Sequence, residues 1–136
     1  MPLIARFSRE HALTNRRRYD SSLMKTIVLL TISNAFMNLA WYGHLKFKDQ
    51  PLWLLILASW GLALFEYMFQ VPANRIGYSG NGGPFTLWQL KVIQEVITLI
   101  VFSLFTILVF KNEVFRLNHL IGFCFLILAV YFIFKK

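Results

Sequence analysis

Charged residues and cysteine are scarce in this chain of 136 residues. Only 15% of the residues are charged, where a soluble domain has roughly 25%. The single cysteine, Cys124, excludes an intrachain disulfide framework and a cysteine-based metal cluster. Hydrophobic residues make up 57% of the chain, and the mean hydropathy is +0.57. Together these values exclude an ordinary soluble domain and indicate a multi-pass membrane protein in a lipid bilayer.

Acidic residues are also few, with 6 Asp and Glu against 14 Lys and Arg, a net charge of +8. The basic residues lie in the N-terminal segment and between apolar runs, which is typical of membrane topology and not of nucleic-acid binding. The glycines from Gly77 to Gly83 lack the Gly-Lys-Ser/Thr of a phosphate loop and predict a flexible turn. No nucleophile, base and acid combine into a catalytic set. We therefore expect no enzyme activity, no cofactor, no metal and no nucleic-acid partner.

Four apolar runs are long enough to cross a bilayer core, which takes about 20 helical residues. They cover residues 26–45, 51–71, 92–110 and 117–134. Their short connections force neighbouring runs to be antiparallel, which predicts an all-α, up-down-up-down bundle of four transmembrane helices over residues 24–136. Residues 1–23 form a polar, basic leader. It is either disordered, an extension upstream of a true start at Met24, an anchor helix or a targeting segment.

The distribution of basic residues predicts the orientation. With four spans, both termini and the second loop share one side, which carries ten Lys and Arg against four on the other. This excess predicts that both termini are cytoplasmic. Without residues 1–23 the count falls to five against four, which would permit both orientations and hence an antiparallel dimer. Parallel and antiparallel dimers both stay open.

Two glutamates interrupt the apolar spans, although ionisable groups in a membrane are costly and mark functional sites. Glu66 and Glu95 each lie roughly 7–9 Å from the membrane midplane, on the side of the second loop. We therefore expect a shared polar pocket that binds a solute or a proton, with Tyr67 and Gln70 as further candidates. Alternatively, Lys91, one turn before Glu95, forms a charge pair with it that is purely structural.

Polar residues recur at helical spacing on three of the spans, and this periodicity predicts a common interior that a substrate pathway could use. An alternative role for Asn34 and Asn38 is hydrogen bonding between helices. The fourth span has small residues, including Gly122 and Ala129, and predicts a packing or dimer face. The three stripes are Thr31, Asn34, Asn38 and Tyr42; Ser59, Ala63, Glu66 and Gln70; and Lys91, Glu95, Thr98 and Thr106.

Three strings of residues are distinctive: NLAWYGH at 38–44, FEYMFQVPANRIG at 65–77, and QLKVIQEVI at 89–97. From about Met24 onward they resemble a bacterial family of four-helix membrane proteins grouped with the drug/metabolite transporter superfamily. Glu113 followed by Gly122 is distantly similar to small multidrug-resistance proteins. The resemblance implies a transport role and dimerisation through the last helix. Small multidrug exporters carry a glutamate in the first helix, which this chain lacks, so proton-coupled drug export is not implied.

Two functions remain open. The first is a dimeric transporter of a small polar or cationic solute, with Glu66 as the first candidate for a coupling carboxylate and Glu95 as the second. The alternative is an accessory or scaffold membrane protein that transports nothing, in which the glutamates only satisfy neighbouring helices.

Overall fold

The computed structural model describes residues 2–135, and their side chains from Arg6 onward. Four α-helices and two short 3₁₀ turns make up this part of the chain, and it contains no strand. All four helices are long and apolar enough to cross a membrane, so the predicted all-α architecture is confirmed. The helices are α1 (Pro2–Tyr42), α2 (Leu52–Gly77), α3 (Leu87–Val109) and α4 (Leu117–Phe134).

The leader is the first half of α1. This helix has 41 residues and is about 60 Å long, twice the thickness of a bilayer core. The leader is thus helical in the structure, which agrees with the anchor-helix alternative and not with a disordered segment. No glycine or proline interrupts residues 3–42, and an Arg6–Glu10 ion pair (3.7 Å) spans one exposed turn. Residues 6–21 are exposed on every side and contribute nothing to the core.

Helix α2 extends beyond the predicted end at Val71. It includes Pro72 and ends at Gly77. Gly77 lies where three helices approach closely. A Cβ atom there would lie 2.7 Å from Leu90 Cδ2 of α3 and 2.8 Å from Thr26 Cγ2 of α1. The start of the first apolar span, the end of α2 and the start of α3 therefore meet at one end of the bundle, as the predicted topology requires.

Helix α3 begins at Leu87, earlier than the predicted start at Val92, because Thr86 and Gln89 form a capping box. Thr86 Oγ1 accepts from the Gln89 N–H (3.3 Å), and Gln89 Oε1 accepts from the Thr86 N–H (3.0 Å). The preceding glycine-rich turn is held by backbone hydrogen bonds, among them Ser79 N–H to the Phe85 carbonyl at 2.7 Å. The structure confirms a turn here, and its flexibility stays a prediction.

Helix α1 forms the centre of the bundle, with α2 and α3 packed on it. Phe36 of α1 stacks on two rings of α2, Phe65 and Phe69, at centroid distances of 5.6 and 5.7 Å. Helix α4 contacts mainly α3 and leaves most of its side chains exposed, including Gly122 and Ala129. Their role as a packing or dimer face stays a prediction.

Candidate functional site

The inward face of α1 carries polar residues among apolar ones such as Leu30. Four polar residues on this face have at most 1% of their surface exposed, whereas most large apolar side chains of α4 are exposed. Burying polar groups inside a membrane domain is favourable only when they find hydrogen-bond partners. The four residues are Thr26, Ser33, Asn34 and Asn38.

Asn34 connects α1 to α3. Its Oδ1 accepts a hydrogen bond from the Thr98 hydroxyl at 2.5 Å, and its Nδ2 donates to the Leu30 carbonyl at 2.8 Å. The structure therefore brings together residues of two predicted stripes, and the amide of Asn34 has partners on both of its polar atoms.

Ser33 connects α1 to α2. Its hydroxyl donates to Gln70 Oε1 at 2.9 Å, and Gln70 is 8% exposed. Ser33 was absent from the predicted stripe, which contained Thr31. Thr31 is exposed and its hydroxyl donates to the carbonyl of Ile27 in its own helix. The spacing of Ser33 from Thr26, seven residues, is the signal that could have identified it.

Asn38 has one satisfied and one unsatisfied polar atom. Its Nδ2 donates to the Asn34 carbonyl at 2.8 Å, but its buried Oδ1 has no donor among the described residues. A buried acceptor without a partner costs about 1–3 kcal/mol. This oxygen can accept a hydrogen bond from a solute N–H or a water, or contact a cation. We call Ser33, Asn34, Asn38, Gln70 and Thr98 the polar junction.

Glu66 lies one turn before Gln70 on the same face of α2. It is half-buried, and within the described part of the chain it forms no ion pair or side-chain hydrogen bond. Ser59 and Ala63, of the same predicted stripe, are likewise half-buried. Tyr67 is 60% exposed and lies off this inner face, so the structure does not place it at the junction.

Glu95 has a different environment. Lys91 Nζ lies 2.6 Å from Glu95 Oε1, and both side chains are about half-exposed or more, at 65% and 47%. No ion pair or hydrogen bond between described residues links Glu66 to Glu95. The pocket shared by the two glutamates stays a prediction.

The part of the chain that the structure describes contains no candidate metal site. No group of three His, Cys, Asp or Glu side chains there could hold a metal ion. The polar junction contains uncharged hydrogen-bonding groups, one of which, Asn38 Oδ1, has no donor among the described residues. The carboxylate of Glu66 lies one helical turn from Gln70.

Comparison with known proteins gives one family. A family model, DMT_6, described as "Putative member of DMT superfamily (DUF486)", matches residues 26–134. The match includes the whole polar junction and leaves residues 1–25 outside. No curated protein matches the chain, and no solved structure matches it.

Proposed function

The chain belongs to the DMT_6 family of transporter-like membrane proteins, and from this premise we propose that it moves a small polar or cationic solute past the polar junction. Family membership confirms the resemblance drawn from the three sequence strings. The solute, and transport itself rather than an accessory role, belong to the proposal. The absence of enzyme activity is also part of the proposal.

The observation that carries the proposal is the unsatisfied Asn38 Oδ1. A protein that used its amides only to join helices would gain from a partner for each buried atom, as Asn34 has. An acceptor left free in a membrane interior is ready for a ligand that carries an N–H group or a positive charge.

Glu66 supplies the charge that such a solute needs. It lies four positions before Gln70, which is about 6 Å along α2. Without a cationic partner among the described residues, its carboxylate can bind either the cation or a proton that the cation displaces. Glu95 is the weaker candidate for coupling because Lys91 already pairs with it.

We further propose a homodimer in a bacterial inner membrane with both termini in the cytoplasm. Four helices are few for enclosing a pathway, and α4 leaves most of its apolar surface without a partner. A second copy packed on α4 would complete the enclosure, with Gly122 and Ala129 allowing close approach of the helices.

The test is solute flux into liposomes that contain the purified protein. The probes are guanidinium, tetramethylammonium and sorbitol, which are a cation with N–H donors, a cation without them, and a neutral polyol. We expect guanidinium to enter faster than into empty liposomes, and expect this gain to be lost in Asn38→Leu and Glu66→Gln. Thr31→Val, which alters an exposed hydroxyl, is the matched control and should transport normally.

Proton release on adding guanidinium to the purified protein reports whether binding of the cation displaces a proton. Release that disappears in Glu66→Gln but persists in Glu95→Gln would support Glu66 as the coupling carboxylate. If no probe enters faster than into empty liposomes, or if all variants transport equally, transport through the junction is wrong and the accessory role is favoured.

A further inference from the structure

A cleft of about 530 Å³ lies between the end of α2 and the first turns of α3. It is separate from the polar junction, and neither the family match nor the proposed transport assigns it a role. Its polar lining residues are Asn74, Arg75, Asn81, Lys91 and Gln94.

Arg75 lines this cleft, and no acidic side chain among the described residues pairs with its guanidinium. It lies in the last turn of α2, is exposed, and forms no ion pair with any described residue. Lys91 also lines the cleft, but its ammonium is paired with Glu95. Asn81 fixes the connection beside Arg75 by donating from Nδ2 to the Arg75 carbonyl at 3.3 Å. An anionic group in the cleft would therefore meet one free guanidinium and nearby amides.

The position of the cleft corresponds to the edge of the membrane. It adjoins Gly77, which packs against Thr26, the first residue of the first apolar span. Leu87 and Trp88 form an apolar wall beside it and are 68% and 80% exposed. An exposed tryptophan at the end of a spanning helix is typical of the level of lipid headgroups.

From these observations we propose that the cleft binds the phosphate of an anionic phospholipid, with Arg75 as the principal contact. Lipid headgroups and free phosphate both offer a phosphate group to Arg75. Only a lipid also has an apolar part that would contact Leu87 and Trp88. Basic pockets between membrane helices are suited to such headgroups. The inference does not depend on the transport proposal, since it uses different residues.

The experiment is a titration of the full-length protein in detergent, with bound lipids counted by native mass spectrometry. The probes are phosphatidylglycerol, phosphatidylcholine and inorganic phosphate. We expect phosphatidylglycerol to bind more tightly than phosphatidylcholine. Arg75→Gln should weaken phosphatidylglycerol binding about fivefold, the effect of about one basic residue near a membrane surface, while Arg75→Lys retains most of it.

Arg9→Gln is the matched control because it removes another exposed arginine, one that lies far from the cleft. Circular dichroism of each variant establishes that the helices are intact. Equal losses in Arg75→Gln and Arg9→Gln would overturn the proposal in favour of diffuse attraction, as would equal affinity for the two lipids. Displacement of the lipid by inorganic phosphate at equal concentration would overturn the lipid assignment.

Discussion

Thr98 of α3 donates its hydroxyl hydrogen to Asn34 Oδ1 of α1 at 2.5 Å, and both side chains lie at the inner face of the bundle. Lipid chains offer no competing donor or acceptor, so this hydrogen bond fixes the position of α3 on α1. Ser33 and Gln70 fix α2 on α1 in the same way. The two links give α1 its central place.

A double-mutant cycle measures the contribution of the first link. We expect Thr98→Val and Asn34→Leu each to lower the free energy of unfolding, with a coupling energy of about 0.6 kcal/mol, the average from double-mutant cycles on hydrogen bonds between membrane helices. The measurement is unfolding in mixed micelles of increasing SDS fraction.

Thr31→Val is the control for this cycle. Its hydroxyl is exposed and bonds only the Ile27 carbonyl of its own helix, so the free energy of unfolding should change by less than about 0.5 kcal/mol. Equal effects of Thr98→Val and Thr31→Val would show that the link between α1 and α3 contributes nothing.

The four helices and part of the junction were predictable because both follow from periodicity along single helices. Uninterrupted apolar runs identify the spans, and the spacing of Asn34, Asn38 and Gln70 places them on inner faces. The end of α2 at Gly77 and the start of α3 at Leu87 were not predicted, since a hydropathy search ends at polar residues that a helix can contain.

Lateral arrangement could not be predicted from the same signals. The depth of a residue in the membrane follows from counting residues along its helix, and this count places Glu66 and Glu95 at similar depths. Which helices are neighbours depends on side-chain packing, here Phe36 of α1 between two rings of α2. For the same reason the choice between Thr31 and Ser33 as the inward residue needed the structure.

Asn38→Leu should leave the protein at least as stable as the wild type. The Oδ1 atom has no donor among the described residues, so replacing the amide with an apolar group of similar size removes an unsatisfied acceptor, and this gain offsets the loss of the Nδ2 hydrogen bond to the Asn34 carbonyl. We expect the free energy of unfolding to stay within about 0.5 kcal/mol or to rise, whereas Asn34→Leu should lower it. A clear loss of stability in Asn38→Leu would argue for a purely structural amide.

Gly83→Ala should destabilise the connection between α2 and α3. A Cβ at this position would overlap the backbone of Ile76 and Gly77, which cannot move as a side-chain end could. We expect a loss of about 1–3 kcal/mol in the free energy of unfolding. The control is Gly61→Ala, where nothing lies within 4 Å of the added atom, and a similar loss there would contradict this explanation.

The Lys91–Glu95 pair should contribute little to stability. Both side chains are well exposed, and exposed pairs one turn apart on a helix contribute about 0.3–0.5 kcal/mol. The double variant Lys91→Met with Glu95→Gln should therefore unfold within about 0.5 kcal/mol of the wild type. A loss above about 1 kcal/mol would show that Glu95 has a buried partner in the bilayer.

A chain that begins at Met24 should fold but insert with mixed orientation. Residues 6–21 are exposed on all sides, and the family match begins at residue 26, so the packing of α1 with α2 and α3 does not depend on the leader. The truncation leaves five Lys and Arg on the side of the termini against four on the other, where the full chain has ten.

A reporter protein fused to the C-terminus measures this outcome. We expect the reporter of the full chain to lie only on the cytoplasmic side, and that of the truncated chain on both sides. The micelle unfolding midpoint of the two chains should agree. If the truncated chain kept a single orientation, the arginines of the leader would not determine topology, and the loop charges alone would be sufficient.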